Sequence, residues 1–338
     1  MSKLIFNPFG TKTVNEIKLI HGNPTNLNDF NNIKYSWSNE IYKQMMANFW
    51  VPEEINLGQD KKDYPNLSES EKRALGKTLS FLIFLDSIQS INPQKISDYI
   101  TAPEVSLLLT IQAFQEQLHS KSYAYILDTV FDADERDEIL YTWSHDKVLL
   151  DRISYIADNF NKFNENPNDE TFLDAVISTY ILEGIYFYTA FSFFYNLARN
   201  GKMPGLAQEI RYINRDENTH LWIFKNIIKH LRSDHSELFT QERIDRFEQM
   251  IRKGAEIEKE WSDYIIQDIP SLKSSQVKSY IDYLCDLRLS AIGYDVKAVY
   301  PDDMRWVSEY ADPNFVKTDF FEAKSTAYAK STSLVDDL

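Results

Sequence analysis

The sequence repeats one short phrase about a hundred residues apart, Phe114-Gln115-Glu116-Gln117-Leu118-His119 and Asn214-Arg215-Asp216-Glu217-Asn218-Thr219-His220, and both contain Glu-x-x-His. In an α-helix, positions i and i+3 share a face, so each phrase aims a carboxylate and an imidazole at one point. In helical bundles that hold a pair of metal ions, two helices supply Glu-x-x-His and two others supply one carboxylate each. The chain must then offer two more acids inside apolar helical runs, where an unpaired acid is expensive.

Two acids meet that condition. Asp86 lies within Leu79-Ser80-Phe81-Leu82-Ile83-Phe84-Leu85-Asp86-Ser87-Ile88, and Glu183 within Tyr180-Ile181-Leu182-Glu183-Gly184-Ile185-Tyr186-Phe187. Each precedes a Glu-x-x-His by about one helical hairpin, 30 residues from Asp86 to Glu116 and 34 from Glu183 to Glu217. One Glu-x-x-His in a helical chain is usually a solvated pair. Two of them, each preceded at matched distance by an acid in an apolar run, predict a cage built from two related helix pairs.

The remaining sequence suits such a cage. With 9 Gly and 11 Pro among 338 residues and 43% hydrophobic residues, it favours long helices with few tight turns, an all-α bundle with additional peripheral helices. A net charge of −15 disfavours a nucleic-acid partner, which wants a basic face. The single cysteine, Cys285, excludes an intrachain disulfide and fits a reducing compartment as a small buried hydrophobe. The start, Met1-Ser2-Lys3-Leu4-Ile5-Phe6-Asn7-Pro8, lacks the apolar core of a signal peptide, and no charge-free apolar run approaches membrane-spanning length; a cytoplasmic protein is expected.

In chain order, residues 1–35 read as an Asn/Pro/Gly-rich arm, 36–300 as the helical domain and 301–338 as a flexible polar tail. A helix over about 37–50 stops before Pro52. Ser68 and Glu71 form a capping box opening the Asp86 helix, which runs to about Ile91. Thr101 as N-cap and Pro103 open a helix to about Phe131, which carries Glu116 and His119. One amphipathic helix is expected over 134–162, then a loop over 164–169. A single, strongly aromatic helix follows over 170–200; being apolar all round, it belongs at the bundle's centre. Pro204 starts the Glu217 helix, to about His230, and peripheral helices span about 240–267 and 274–298. His21, His145, His230 and His235 fall outside the pattern and read as surface residues.

Four carboxylates and two imidazoles form a mixed oxygen and nitrogen set suited to two iron or manganese ions, whereas structural zinc favours thiolates. Such a site can activate dioxygen or act as a ferroxidase. Tyr123, four residues after His119 on the same face, favours the first, because a tyrosine beside the metals in a dry pocket can hold a phenoxyl radical. Phe187, Phe191 and Ile213 fall at spacings that could enclose it.

The phrases Phe49-Trp50-Val51-Pro52-Glu53-Glu54, Leu85-Asp86-Ser87-Ile88-Gln89, Glu116-Gln117-Leu118-His119-Ser120-Lys121-Ser122-Tyr123, Glu183-Gly184-Ile185-Tyr186-Phe187-Tyr188 and Arg215-Asp216-Glu217-Asn218-Thr219-His220 resemble, in order and spacing over about 35–330, the radical-generating small subunit of class I ribonucleotide reductase. The resemblance implies a ferritin-like fold and a homodimer that makes a tyrosyl radical with two metal ions per chain, iron before manganese or a mixed pair. The radical is passed to a separate large subunit, which reduces ribonucleotides. The ligands carried over are Asp86, Glu116, His119, Glu183, Glu217 and His220, and the radical residue is Tyr123. The implied path starts at His119, passes Asp216 and Trp50, and leaves through a tail tyrosine, matched here by Tyr328, with the tail docking on the large subunit. The alternatives are a stand-alone dimetal oxidase of the same fold, a metal-storage bundle and a purely structural bundle. None of them accounts for Trp50, Asp216 and the tyrosine-bearing tail together.

Overall fold

The computed structural model describes residues 4–269 and 271–312, and among these it is helical with no strand. Helix α1 (Trp37–Ala47) and the short α2 (Gly58–Asp63) lead into α3 (Glu69–Gln89), α4 (Asn92–Tyr99) and α5 (Pro103–Val130). Helices α6 (Ala133–His145) and α7 (Lys147–Glu165) follow, then α8 (Asp169–Ile181), a π-helical turn (Leu182–Tyr186) and α9 (Tyr188–Arg199). The chain continues through α10 (Pro204–Asp234), α11 (Gln241–Ile266) and α12 (Ser274–Ala291) to a small α13 (Trp306–Ala311).

The bundle core is α3, α5, α8–α9 and α10: α5 packs on α3 and α10, and α10 packs on α8 and α9, while α11 and α12 cover the π-helical turn from outside. Every residue from 181 to 198 is buried, as expected of a helix that is apolar all round. Helix α3 opens on the expected capping box: the Ser68 hydroxyl accepts from Glu71 N, and Glu71 Oε2 accepts from Ser68 N at 2.8 Å. The span Glu69–Tyr99 is long and apolar enough to cross a membrane by composition, but 61% of its most apolar 18-residue window is buried within this core, which accounts for its apolarity.

Several sequence expectations are corrected. Ala102, not Thr101, is the N-cap of α5; the Thr101 hydroxyl donates to Lys18 O at 2.7 Å and accepts from Gly22 N at 3.0 Å, which ties the N-terminal segment to the bundle. That segment buries Leu19, Ile20 and Tyr35. The single helix over 134–162 is two, because the Asp146 carboxylate turns inward to cap α7, accepting from Val148 N and Leu149 N. The aromatic helix over 170–200 is broken by the π-helical turn. Helix α10 runs on to Asp234, and α12 stops at Ala291. The segment read as polar tail opens with a 3-10 turn (Asp302–Met304) that buries Met304, followed by α13, where Val307 is buried, Arg199 lies over the Trp306 ring and Arg211 Nε donates to Tyr310 O at 2.6 Å. His235 is buried rather than a surface residue. Cys285 is a packed hydrophobe whose thiol is pushed up to about 12 by burial.

Candidate metal centre

Asp86 on α3, Glu116 and His119 on α5, Glu183 on the π-helical turn, and Glu217 and His220 on α10 all have no solvent exposure. They converge as two overlapping groups: Asp86, Glu116, His119 and Glu217 in one, and Glu116, Glu183, Glu217 and His220 in the other, with one ligand atom from each residue within 4.8 Å of the others. Glu116 and Glu217 belong to both. That sharing is not legible in the sequence, where each Glu-x-x-His looks like a separate half of the cage.

Both imidazoles point Nδ1 inward. His119 Nδ1 lies 3.5 Å from Glu116 Oε2, 3.2 Å from Glu217 Oε1 and 3.7 Å from Asp86 Oδ2. His220 Nδ1 lies 3.1 Å from Glu116 Oε1, 3.0 Å from Glu217 Oε2 and 3.7 Å from Glu183 Oε2. Their outer nitrogens have partners: His220 Nε2 is 3.0 Å from Gln115 Oε1, and His119 Nε2 is 3.3 Å from Asp216 Oδ2. An acceptor at Nε2 fixes the proton there and leaves the Nδ1 lone pair facing the centre, as outer partners of metal-bound histidines do.

The charges explain what the cage needs. Burial, then the neighbouring Glu116 carboxylate, drive Asp86 well above the usual carboxylate range; burial, then Glu217, do the same to Glu183. Glu217 is held low despite burial by the hydrogen bond from Glu183 and by His220. Both histidines are driven up, against burial, by the surrounding carboxylates, Asp216 leading at His119 and Glu217 at His220. Four carboxylates packed this closely in a dry pocket demand positive charge, and two divalent cations would supply it in full. Atoms of the centre also lack hydrogen-bond partners: Glu116 Oε2, Glu217 Oε1 and His119 Nδ1. A buried carboxylate/histidine cluster of this composition fits a dinuclear metal site.

Beside it, the Asp216 carboxylate joins His119 to Trp50, whose Nε1 donates to Asp216 Oδ2 at 2.9 Å; the Trp50 and His119 rings stack at 6.4 Å. Tyr123 is fully buried, and its hydroxyl has the Asp86 carboxylate as its side-chain hydrogen-bonding neighbour. Burial, then the Asp86 charge, hold its pKa well above 10. Phe187, Phe191 and Ile213 are equally buried, with the two phenylalanine rings 5.8 Å apart. Tyr328 lies outside the described residues. Three glutamines escaped the sequence reading: Gln115 on His220, and Gln89 and Gln112, whose amides donate to Glu183 Oε1 at 2.5 and 2.8 Å. The available signal was spacing, since Gln112 stands one turn before Glu116 on the same face.

A helical core that buries two histidines among four carboxylates in this arrangement defines the ferritin-like dimetal-carboxylate class. The family profile "Ribonucleotide reductase, small chain" matches residues 27–305. The ribonucleoside-diphosphate reductase subunit beta of Treponema pallidum (strain Nichols) is 52% identical over 99% of this chain and 97% of that protein, and the subunit beta of Halalkalibacterium halodurans is 39% identical over 92% and 91%. The solved ribonucleotide reductase R2 subunit from Clostridium botulinum superposes with a TM-score of 0.87 at 48% identity, covering 92% of this chain and 98% of that one. The chain belongs to the ribonucleotide reductase small-chain family, and its enzymatic role is that of the beta subunit of ribonucleoside-diphosphate reductase.

Proposed function

We propose that Asp86, Glu116, His119, Glu183, Glu217 and His220 hold two metal ions, with Glu116 and Glu217 shared between them, and that Tyr123 stores the oxidising equivalent the centre generates. The two overlapping four-residue groups carry this reading. The ligand set admits a di-iron, di-manganese or mixed pair, and we place iron first. When bound, the metals would let dioxygen, the oxidant, be reduced at the centre and so supply the oxidising power. The chain's own residues then decide where the hole goes and where protons are kept. Tyr123 loses its phenolic proton toward Asp86, its acidic neighbour, and the dry surroundings protect the radical. Asp216 holds the Trp50 N–H, so an electron can leave Trp50 while the proton has an acceptor at Oδ2. The path then runs from His119 through Asp216 and Trp50 to Tyr328 in the tail, which docks on the large subunit. The chain works as a homodimer in the cytoplasm, and its net charge of −15 suits neither nucleic acid nor an anionic membrane surface. A stand-alone dimetal oxidase would need no such path, and the buried hydrogen bond from Trp50 to Asp216 speaks against it.

Metal analysis after anaerobic reconstitution tests the centre. About two equivalents per chain are expected in the wild type and fewer in Glu116→Ala or Glu217→Ala; full occupancy in both variants would overturn the assignment. Anomalous scattering at the iron and manganese edges then identifies the metals.

A further inference from the structure

Glu183 differs from the other candidate ligands in standing on a distorted helix. The turn Leu182–Tyr186 is π-helical, a form rare enough that it persists only where the surroundings hold it in place. Two buried arginines from outside the bundle core grip it. Arg288 of α12 donates from Nε to Gly184 O at 3.1 Å and from Nη2 to the Tyr188 hydroxyl at 3.1 Å, and its own carbonyl accepts from the Tyr180 hydroxyl at 2.9 Å. A Cβ at position 184 would stand 3.0 Å from Leu221 Cδ1 and 3.1 Å from Arg288 Nε, tight enough that these side chains would have to give by a few tenths of an ångström. Arg152 of α7 donates to Tyr186 O at 2.5 Å and pairs with Glu258 of α11, whose Oε1 accepts from Thr189 N at 3.2 Å. The other Arg152 nitrogens have no hydrogen-bond partner; the guanidinium lies 3.5 Å over the Phe81 ring, with Tyr186 and Trp261 at 4.7 and 4.8 Å.

The backbone of the turn and the N–H just beyond it are thus fixed by side chains from α7, α11 and α12, while Gln89 and Gln112 hold Glu183 Oε1 from the inner side. Burying two guanidinium groups and a carboxylate this deeply is costly, and hydrophobic packing alone would not call for them. The geometry points to Arg288 and the Arg152–Glu258 pair as positioning residues for the metal centre: they hold the π-helical turn in the register that presents Glu183 Oε2 to the half of the centre containing His220.

This rests on Glu183 being a metal ligand, so Glu183→Ala is the reference. The test is a manganese(II) titration of the full chain, followed by electron paramagnetic resonance of free and bound ion, with thermal melting as the folding control. The wild type should bind about two equivalents. Glu183→Ala should weaken one of them; if it does not, the ligand assignment fails, not the brace alone. Given that loss, Arg288→Gln is expected to weaken the same equivalent about tenfold or more, the scale of outer partners of metal ligands, and to leave the other unchanged. Arg288→Lys should recover part of it, and Tyr188→Phe, which removes an acceptor of Arg288 and a 3.3 Å donor to Asn218 Oδ1, should weaken the same equivalent less. Where Arg288→Gln does not fold, Tyr188→Phe decides. A folded Arg288→Gln, or in its absence Tyr188→Phe, that binds both equivalents with wild-type affinity, or loses both equally, overturns the proposal.

Discussion

Tyr123 is one of 20 tyrosines, and sequence spacing alone could not separate it from the core aromatics. The structure adds a physical distinction: a fully buried ring whose hydroxyl meets the Asp86 carboxyl group, an acidic neighbour that keeps the phenol from ionising. Such a phenol can be oxidised only by giving up its proton with its electron. Tyr123→Phe is therefore expected to keep both metal ions and lose the tyrosyl signal in electron paramagnetic resonance. The stability change should stay within about 1.5 kcal/mol, because at most the one hydrogen bond to Asp86 is lost. An undiminished tyrosyl signal in the variant would place the radical elsewhere. At this scale the six acids and histidines were legible, because a carboxylate in an apolar helix stands out. Gln89, Gln112 and Gln115 were not, because a glutamine on a helix looks like an ordinary surface residue until its partner is known.

Among the elements, helices with side-chain caps were easy to place, and those shaped by distant partners were not. The Ser68 capping box is local and readable. The start of α10 is not: its N-cap, Met203, sits in the left-handed region, and the caps come from α2, where Asp63 accepts from Met203 N and Asp60 accepts from Gly205 N and Leu206 N at 3.0 and 2.7 Å. Gly205 is required, since a Cβ there would lie 2.7 Å from Asp60 Oδ2. The π-helical turn was likewise hidden, since it depends on arginines about 30 and 100 residues away. Asp60 gives a test through pH. Burial pushes its carboxyl up from 3.8 to about 6, against the helix N–H groups that favour the anion. An acid whose pKa is raised by folding binds more protons in the folded chain, so its contribution to stability falls as pH rises from about 4 to about 6, by at most about 1.4 kcal/mol per pH unit, and is level above. Asp60→Asn cannot ionise. Its urea midpoint should lie furthest below the wild type near pH 4 and close the gap toward pH 7. A gap that widens with pH would mean that the folded chain holds Asp60 below the ordinary carboxylate value, as a stable anionic cap of α10.

The whole molecule poses the question of how an oxidising equivalent leaves a buried centre. Trp50 is only 2% exposed, so a partner protein cannot touch it effectively, and a carrier has to come to it. The sequence offers Tyr328, 16 residues beyond Asp312, the last described position; a chain of that length can reach at most about 55 Å when extended, enough to bridge two subunits. The segment finishes Ser331-Thr332-Ser333-Leu334-Val335-Asp336-Asp337-Leu338, three apolar residues around two acids, a pattern that fits an apolar groove with a basic rim. Docking and relay are separable roles, which makes them testable separately. Deleting residues 331–338 should leave metal content and the Tyr123 signal intact, weaken the complex with the large subunit and abolish ribonucleotide reduction. Tyr328→Phe should bind the large subunit as the wild type does and lose turnover, because the ring remains but the phenol proposed to carry the hole is gone. A truncated protein that binds and turns over normally would remove the docking role, and an active Tyr328→Phe would remove the relay while leaving the docking role standing.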